Sequence, residues 1–191
     1  MKGAASHSTQ EQALVRRGPY RLAPFDKLMG PLVASWARDD QELFWLAPKT
    51  PPPLTAAKVV AWATPDGRPL LFYRDDTPDP LGYLELNPMP ADWGHYWLGH
   101  CVTHPDYRGM GLGRIMIALT LELAFRTRRA YRVSLVVFPE NVAAIRCYRN
   151  AGFVDAGDQW KYFCTTGQQH RMMQMTIDRG RFLSLPAPRY H

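Results

Sequence analysis

The stretch HCVTHPDYRGMGLGRIMIALTLELAF, residues 100–125, constrains this chain most, because it sets Gly109, Gly111 and Gly113 between an apolar strand and an apolar helix. Glycine adopts positive φ and lets backbone approach a ligand closely. Successive N–H groups can therefore converge on one anion, and the helix N-terminus adds its partial positive charge. Two familiar phosphate loops do not fit. A dinucleotide loop needs G-x-G-x-x-G, yet the sixth position is Arg114 counted from Gly109 and Met116 counted from Gly111. A nucleoside-triphosphate loop needs Gly-Lys-Ser/Thr at its end, which the sequence lacks.

Charge gathers around the same loop. The chain of 191 residues carries 23 Lys+Arg against 17 Asp+Glu, a formal net charge of +6. Six arginines (108, 114, 126, 128, 129 and 132) lie within 25 residues that hold one acid, Glu122. Arg126, Arg128 and Arg129 suit the negative C-terminal end of a helix. Arg108 and Arg114 bracket the glycines and point to an anionic ligand.

Around this loop the pattern is that of a mixed sheet. Hydrophobic residues make up 46% and charged residues 21%, enough for one core. Strands are expected at 59–62, 70–73, 81–86, 96–102, 132–138, 159–164 and 171–177, with Pro, Asp and Gly turns between the early ones. Helices are expected from Pro24 through Trp36, after Asp39 or Asp40, over 114–126 and over 141–150. The expectation is an α/β fold, a mostly antiparallel sheet of six or seven strands with helices on both faces. One domain spans 20–178, with a loose arm at 1–19 and a peripheral tail at 179–191. The longest apolar stretch is interrupted by Arg114, Thr120 and Glu122 and is too short to span a bilayer. The opening residues lack a signal-peptide apolar core, and the cysteines, Cys101, Cys147 and Cys164, are odd in number, so a reducing, cytoplasmic setting is expected.

Arg108-Gly109-Met110-Gly111-Leu112-Gly113, preceded by Val102-Thr103-His104-Pro105, resembles the acyl-CoA signature of the GNAT N-acetyltransferase superfamily. Asn141, Tyr148 and the Gly152-Phe153 pair resemble its second signature, so the likeness is specific from about Leu98 to Phe153. The resemblance implies acetyl-CoA as acyl donor, no metal, and direct transfer to a primary amine. It implies contacts to the donor from Cys101, Val102, Thr103, Arg108, Gly109, Met110, Gly111, Leu112, Gly113, Arg114, Asn141, Ala144 and Tyr148. A backbone N–H near Val102 would hold the oxyanion, and Tyr148 would return a proton to the leaving thiolate. The residues themselves support part of this: Asn141, Ala144 and Tyr148 recur on nearly one helical face. Asn141 is equally a helix cap, and Tyr148 equally a core aromatic.

No motif fixes the general base. Glu85 and His100 are the candidates, each with a structural alternative, a solvent-facing glutamate and a satisfied core histidine. His95, His100, Cys101 and His104 lack metal-site spacing. Trp36, Trp45, Trp93 and Tyr96, with Asp39, Asp40 and Glu42 nearby, are the candidates for an amine pocket, open to a small amine or a protein N-terminus. A non-catalytic acyl-CoA sensor is the alternative within the same fold. A nucleic-acid binder, prompted by a pI near 9.4, finds no matching motif. C-terminal edge strands leave room for a homodimer.

Overall fold

A computed structural model describes residues 13–186. Eight strands form a single sheet in the order β1-β2-β3-β4-β5-β6-β8-β7. β1 (Val15–Arg17) and β2 (Tyr20–Pro24) make a hairpin turned through Gly18 at φ 53. β3 (Pro69–Arg74), β4 (Gly82–Pro88) and β5 (His95–Thr103) continue it as an antiparallel meander. β6 (Arg132–Val137) runs parallel to β5, and β8 (Gln168–Asp178) inserts antiparallel between β6 and β7 (Val154–Phe163).

The count exceeds the expected six or seven because β1 falls within the expected arm and Tyr20–Pro24, just before the expected helix start at Pro24, carries no strand expectation. One expected strand is not there. Residues 59–62 end helix α3 (Ala56–Trp62), whose first turn is capped by the Thr55 hydroxyl taking the Lys58 N–H at 3.3 Å. Val59 and Trp62 stand three residues apart and turn to the same core, so helical spacing prevails over the strand preference of the valine pair. Tyr20–Pro24 takes the vacated place beside β3.

Helices cover both faces. α1 (Gly30–Ala34), α2 (Asp40–Leu46) and α3 bury Val33, Trp36, Leu43 and Val59 against Ala23, Leu71, Tyr73 and Tyr83. Asp39 caps α2, its carboxylate accepting the Glu42 N–H at 2.7 Å. On the other face α4 (Leu112–Glu122) and α5 (Val142–Asn150) pack against Leu84, Leu86, Leu98, Leu135 and Met175. α4 continues into a π turn at Leu123–Thr127, leaving Arg126, Arg128 and Arg129 exposed at its far end from the glycine loop. The segment read as a peripheral tail contributes to the core. α6 (Arg179–Ser184) stacks Phe182 on Phe125 with centroids 4.9 Å apart. Among the described residues no helix is long and apolar enough to cross a membrane. Residues 1–12 of the expected arm and 187–191 of the expected tail lie outside the description.

Candidate active site

β5 and β6 pair only from His95 to Trp97, opposite Arg132 to Ser134. Beyond Trp97 the two strands part, so the β6-facing edge of Cys101, Val102 and Thr103 has no strand partner. On its other side β5 carries one extra residue, since Tyr83 lies opposite Val102 and Glu85 opposite Gly99. This bulge holds His100 at φ 42, a left-handed conformation costing an L-residue about 1 kcal/mol. It also reverses the alternation. Val102 packs toward α1–α3 and Cys101 toward α4 and α5.

The bulge brings both base candidates together. Glu85, 2% exposed, accepts from His100 Nδ1 at 2.9 Å, from the Tyr83 hydroxyl at 2.8 Å and from the Asn87 amide at 2.9 Å. Burial alone would raise its carboxyl, but the His100 imidazole, Asn87 and Tyr83 outweigh that and hold it below the ordinary carboxylate range. Burial and the neighbouring carboxylate push the Tyr83 phenol well upward. The His100 ring lies flat on Trp62 at 4.4 Å, and Trp62 donates its indole N–H to Thr50 Oγ1 at 2.8 Å. Glu85 is thus not solvent-facing, and His100, part-exposed at 27%, has its Nδ1 satisfied by that carboxylate.

On the opposite side of β5, Tyr148 is buried beside the Cys101 thiol. Burial foremost, then the neighbouring thiols, raises its phenol well above the ordinary tyrosine value, so it stays protonated. Burial likewise pushes the Cys101 thiol up to about 12 and the Cys147 thiol to about 11. Asn141 caps α5 by accepting the Ala144 N–H at 3.2 Å.

Gly109 and Gly111 both take φ 79, and a side chain at either would meet only open space. Gly111 is the α4 N-cap residue with no side-chain cap, so the first amides of the helix are left for an external acceptor. A Cβ on Gly113 would lie 3.4 Å from Cys147 Sγ and 3.7 Å from Thr103 Cγ2, which marks where α4, α5 and the end of β5 converge. Leu112 is buried beneath the loop and Met110 is 60% exposed above it. The two bracketing arginines divide. Arg114 is exposed on the first turn. Arg108 points away from the loop, donating to Thr103 O at 3.2 Å, Glu42 Oε1 at 2.8 Å and Trp36 O at 2.7 Å. Its guanidinium ties β5 to α1 and α2 and is not available as a phosphate ligand.

A cleft of about 490 Å³ opens on the α2 side, lined by Asp40, Phe44, Trp45, Thr50, Glu140 and His170 among others. Of the four aromatic candidates only Trp45 lines it. Trp36 is fully buried in the core under α1, Trp93 is 91% exposed on the β4–β5 loop, and Tyr96 packs against the core of the opposite face. The resemblance points to the segments that form an acceptor pocket, but packing decides which of their aromatic side chains reach the cleft. Trp62 was missed because its segment read as a strand. The Thr55 cap after the proline run is the signal that would have found it.

The model of the Acetyltransferase (GNAT) family matches residues 25–153. Spermidine N(1)-acetyltransferase of Escherichia coli is 30% identical over 83 residues, covering 44% of this chain and 45% of that protein. The chain thus aligns with about half the length of the curated relatives it matches. The Vibrio cholerae spermidine N-acetyltransferase, solved in complex with CoA and spermine, superposes with a TM-score of 0.72 at 16% identity, covering 88% of this chain and 100% of that one. AAC(6')-Ib in complex with parmomycin and acetyl-CoA gives a TM-score of 0.69 at 19% identity, covering 89% and 99%. With two thirds of its length under the family model and the parted strands, bulge and glycine loop in place, the chain belongs to the GNAT acetyltransferase family.

Proposed function

We propose that this protein transfers the acetyl group of acetyl-CoA to a primary amine by direct attack. The observation that carries the reading is the bulge at His100. It sets a carboxylate–imidazole pair on one side of β5 and a protonated phenol on the other, at the point where β5 leaves β6. The pyrophosphate lies on the free amides of residues 109–113, with Arg114 as the nearest exposed cation. Pantetheine runs along the open edge of Cys101–Thr103, past Ala144. The amine enters from the cleft beside α2 and loses a proton to the Glu85–His100 pair. Nitrogen attacks the thioester carbon, and the Val102 N–H takes the oxyanion. Collapse breaks the carbon–sulfur bond as Tyr148 gives its proton to the departing thiolate, and the second proton of the attacking nitrogen, released as the amide forms, returns through solvent to restore the Tyr148 phenol.

Relatives named for spermidine acetylation support an amine acceptor, and the CoA and acetyl-CoA complexes of its structural neighbours support the donor. The aromatic cleft with Asp40 and Glu140 suits a cationic amine before deprotonation. Self-association belongs to the same reading. β7 is a ten-residue edge strand with Trp160 and Tyr162 more than half exposed on one face, the place for a second copy to pair. The three cysteines are free thiols, which suits the cytoplasm.

The test is calorimetric titration with acetyl-CoA, followed by thiol release against an amine panel. Saturable binding with amine-dependent release supports the transferase. Binding without release against any amine supports the acyl-CoA sensor, and no binding overturns both.

A further inference from the structure

Lys161 on β7 places its ammonium 5.6 Å from the centre of the Trp97 ring. Trp97 belongs to the floor of the candidate site: its Cδ1 and Glu85 Oε2 lie 3.7 and 3.9 Å from the position a Gly99 Cβ would take. Opposite Lys161 on the hairpin stands His170, which lines the cleft beside α2. Lys161 therefore faces the side of the sheet that carries the Trp97 ring and His170.

Its electrostatic setting is unusual. Lys161 is part-buried, and among the described residues no carboxylate forms an ion pair with it or with Lys49. Arg171 on the same hairpin has its own acid, Asp158, at 2.7 Å. Lys49 comes close from the loop after α2, whose Pro48 carbonyl accepts the Thr165 hydroxyl of the hairpin. Burial and then Lys49 lower the Lys161 ammonium below the ordinary lysine value. Lys161 thus stands part-buried with no acid beside it among the described residues, and the ring face of Trp97 offsets only part of the cost.

Resting on the amine-acetyltransferase reading, we propose that Lys161, held over Trp97, recognises an anionic group on the acceptor, so that the substrate is an amine bearing a carboxylate or phosphate. Such a molecule meets both halves of the site. Its ammonium end turns to the Glu85 carboxylate, and its anion settles on Lys161. A diamine of the same length brings a second ammonium against Lys161 and is disfavoured.

The experiment compares ω-aminocarboxylates and ω-aminoalkyl phosphates with α,ω-diamines of matched length, about three to six carbons, by thiol release from acetyl-CoA. The expected result is a kcat/KM at least about tenfold higher for the anionic amines. Lys161→Gln erases that preference through KM with kcat held, Lys161→Arg keeps it, and Lys161→Glu inverts it. Carboxylates and phosphates compared with each other separate the two anion chemistries. Equal or better use of the diamines by the wild type, or a preference that survives Lys161→Gln, overturns the proposal. If no amine is acetylated, the transferase reading fails separately. Calorimetric titration of the same amines onto wild type and Lys161→Gln then decides: tighter binding of the anionic amines that Lys161→Gln abolishes supports the proposal, and its absence overturns it.

Discussion

His100 Nδ1 and Glu85 Oε1 stand 2.9 Å apart because an inserted residue in β5, next to the Gly99 that pairs with Glu85, turns His100 into left-handed backbone beside the buried carboxylate. A glycine at position 100 keeps that backbone and removes only the imidazole. Glu85→Gln is expected to lower kcat by about a hundredfold or more, with acetyl-CoA affinity unchanged by titration. His100→Gly removes the strongest influence holding the Glu85 carboxyl down against burial, so that carboxyl rises. The sign for stability follows. A carboxyl lowered in the folded state stabilises above its unfolded pKa, about 4.3, and that contribution is lost as pH falls through the folded value. In His100→Gly the loss sets in at higher pH, which acid titration followed by circular dichroism reads directly.

Tyr148→Phe deletes a proton donor without changing the ring. With the ring packed on Phe153 at 5.9 Å, packing survives the change. Turnover is expected to fall by about a hundredfold while acetyl-CoA affinity holds. Because the phenol is raised, the wild-type rate has no falling alkaline limb from Tyr148 below about pH 10, its unperturbed value. Loss of binding in parallel with rate assigns Tyr148 a structural part.

Two glycines separate ligand space from protein packing. Gly111→Ala meets nothing in the protein and incurs only left-handed strain, about 1 kcal/mol. Its expected signature is weakened acetyl-CoA binding with a melting point lowered by a few degrees. Gly82→Ala puts a methyl 2.5 Å from Met116 Sδ in the core beneath the sheet. There the expected effect is the reverse, a melting temperature lowered further with donor affinity kept once folded.

The loop and the second half of the fold were legible because local chemistry fixes them. Gly109, Gly111 and Gly113 need no partner to announce a tight turn before an apolar helix, and Asn141 and Gly152 bound α5 in their ordinary roles as cap and terminator. What stayed hidden depends on pairing across distance. Nothing in the sequence says that β5 gains a residue against β4, so Glu85 and His100 appeared as alternatives when they form one pair. The short β1–β2 hairpin owes its existence to β3, and charged Arg16 and Arg17 on that edge gave no alternation to read. Trp36 sits four residues before cleft-lining Asp40 yet is fully buried, and Tyr96 packs against the core of the opposite face, distinctions that only packing makes.

Arg108 and Arg114 were read alike, and their separation gives a further prediction. Arg108 engages Thr103 O, Trp36 O and Glu42, itself also bound by Arg38. Removing it strands two carbonyls in a part-buried junction, expected to cost about 1–3 kcal/mol and several degrees of melting temperature. Burial would raise the Glu42 carboxyl, but the hydrogen bonds from Arg38 and Arg108 outweigh it and hold that group at about 2. Its stabilisation is therefore present above the unfolded value near 4.3 and fades as pH falls toward the folded one. In Arg108→Ala the folded value moves up, so acid unfolding begins at higher pH. Arg114→Ala is expected to behave oppositely, with the melting curve unchanged, acetyl-CoA bound several-fold more weakly, and the salt dependence of that binding reduced. A donor affinity that falls more for Arg108→Ala than for Arg114→Ala would overturn the assignment of Arg108 to structure and return both arginines to the phosphates.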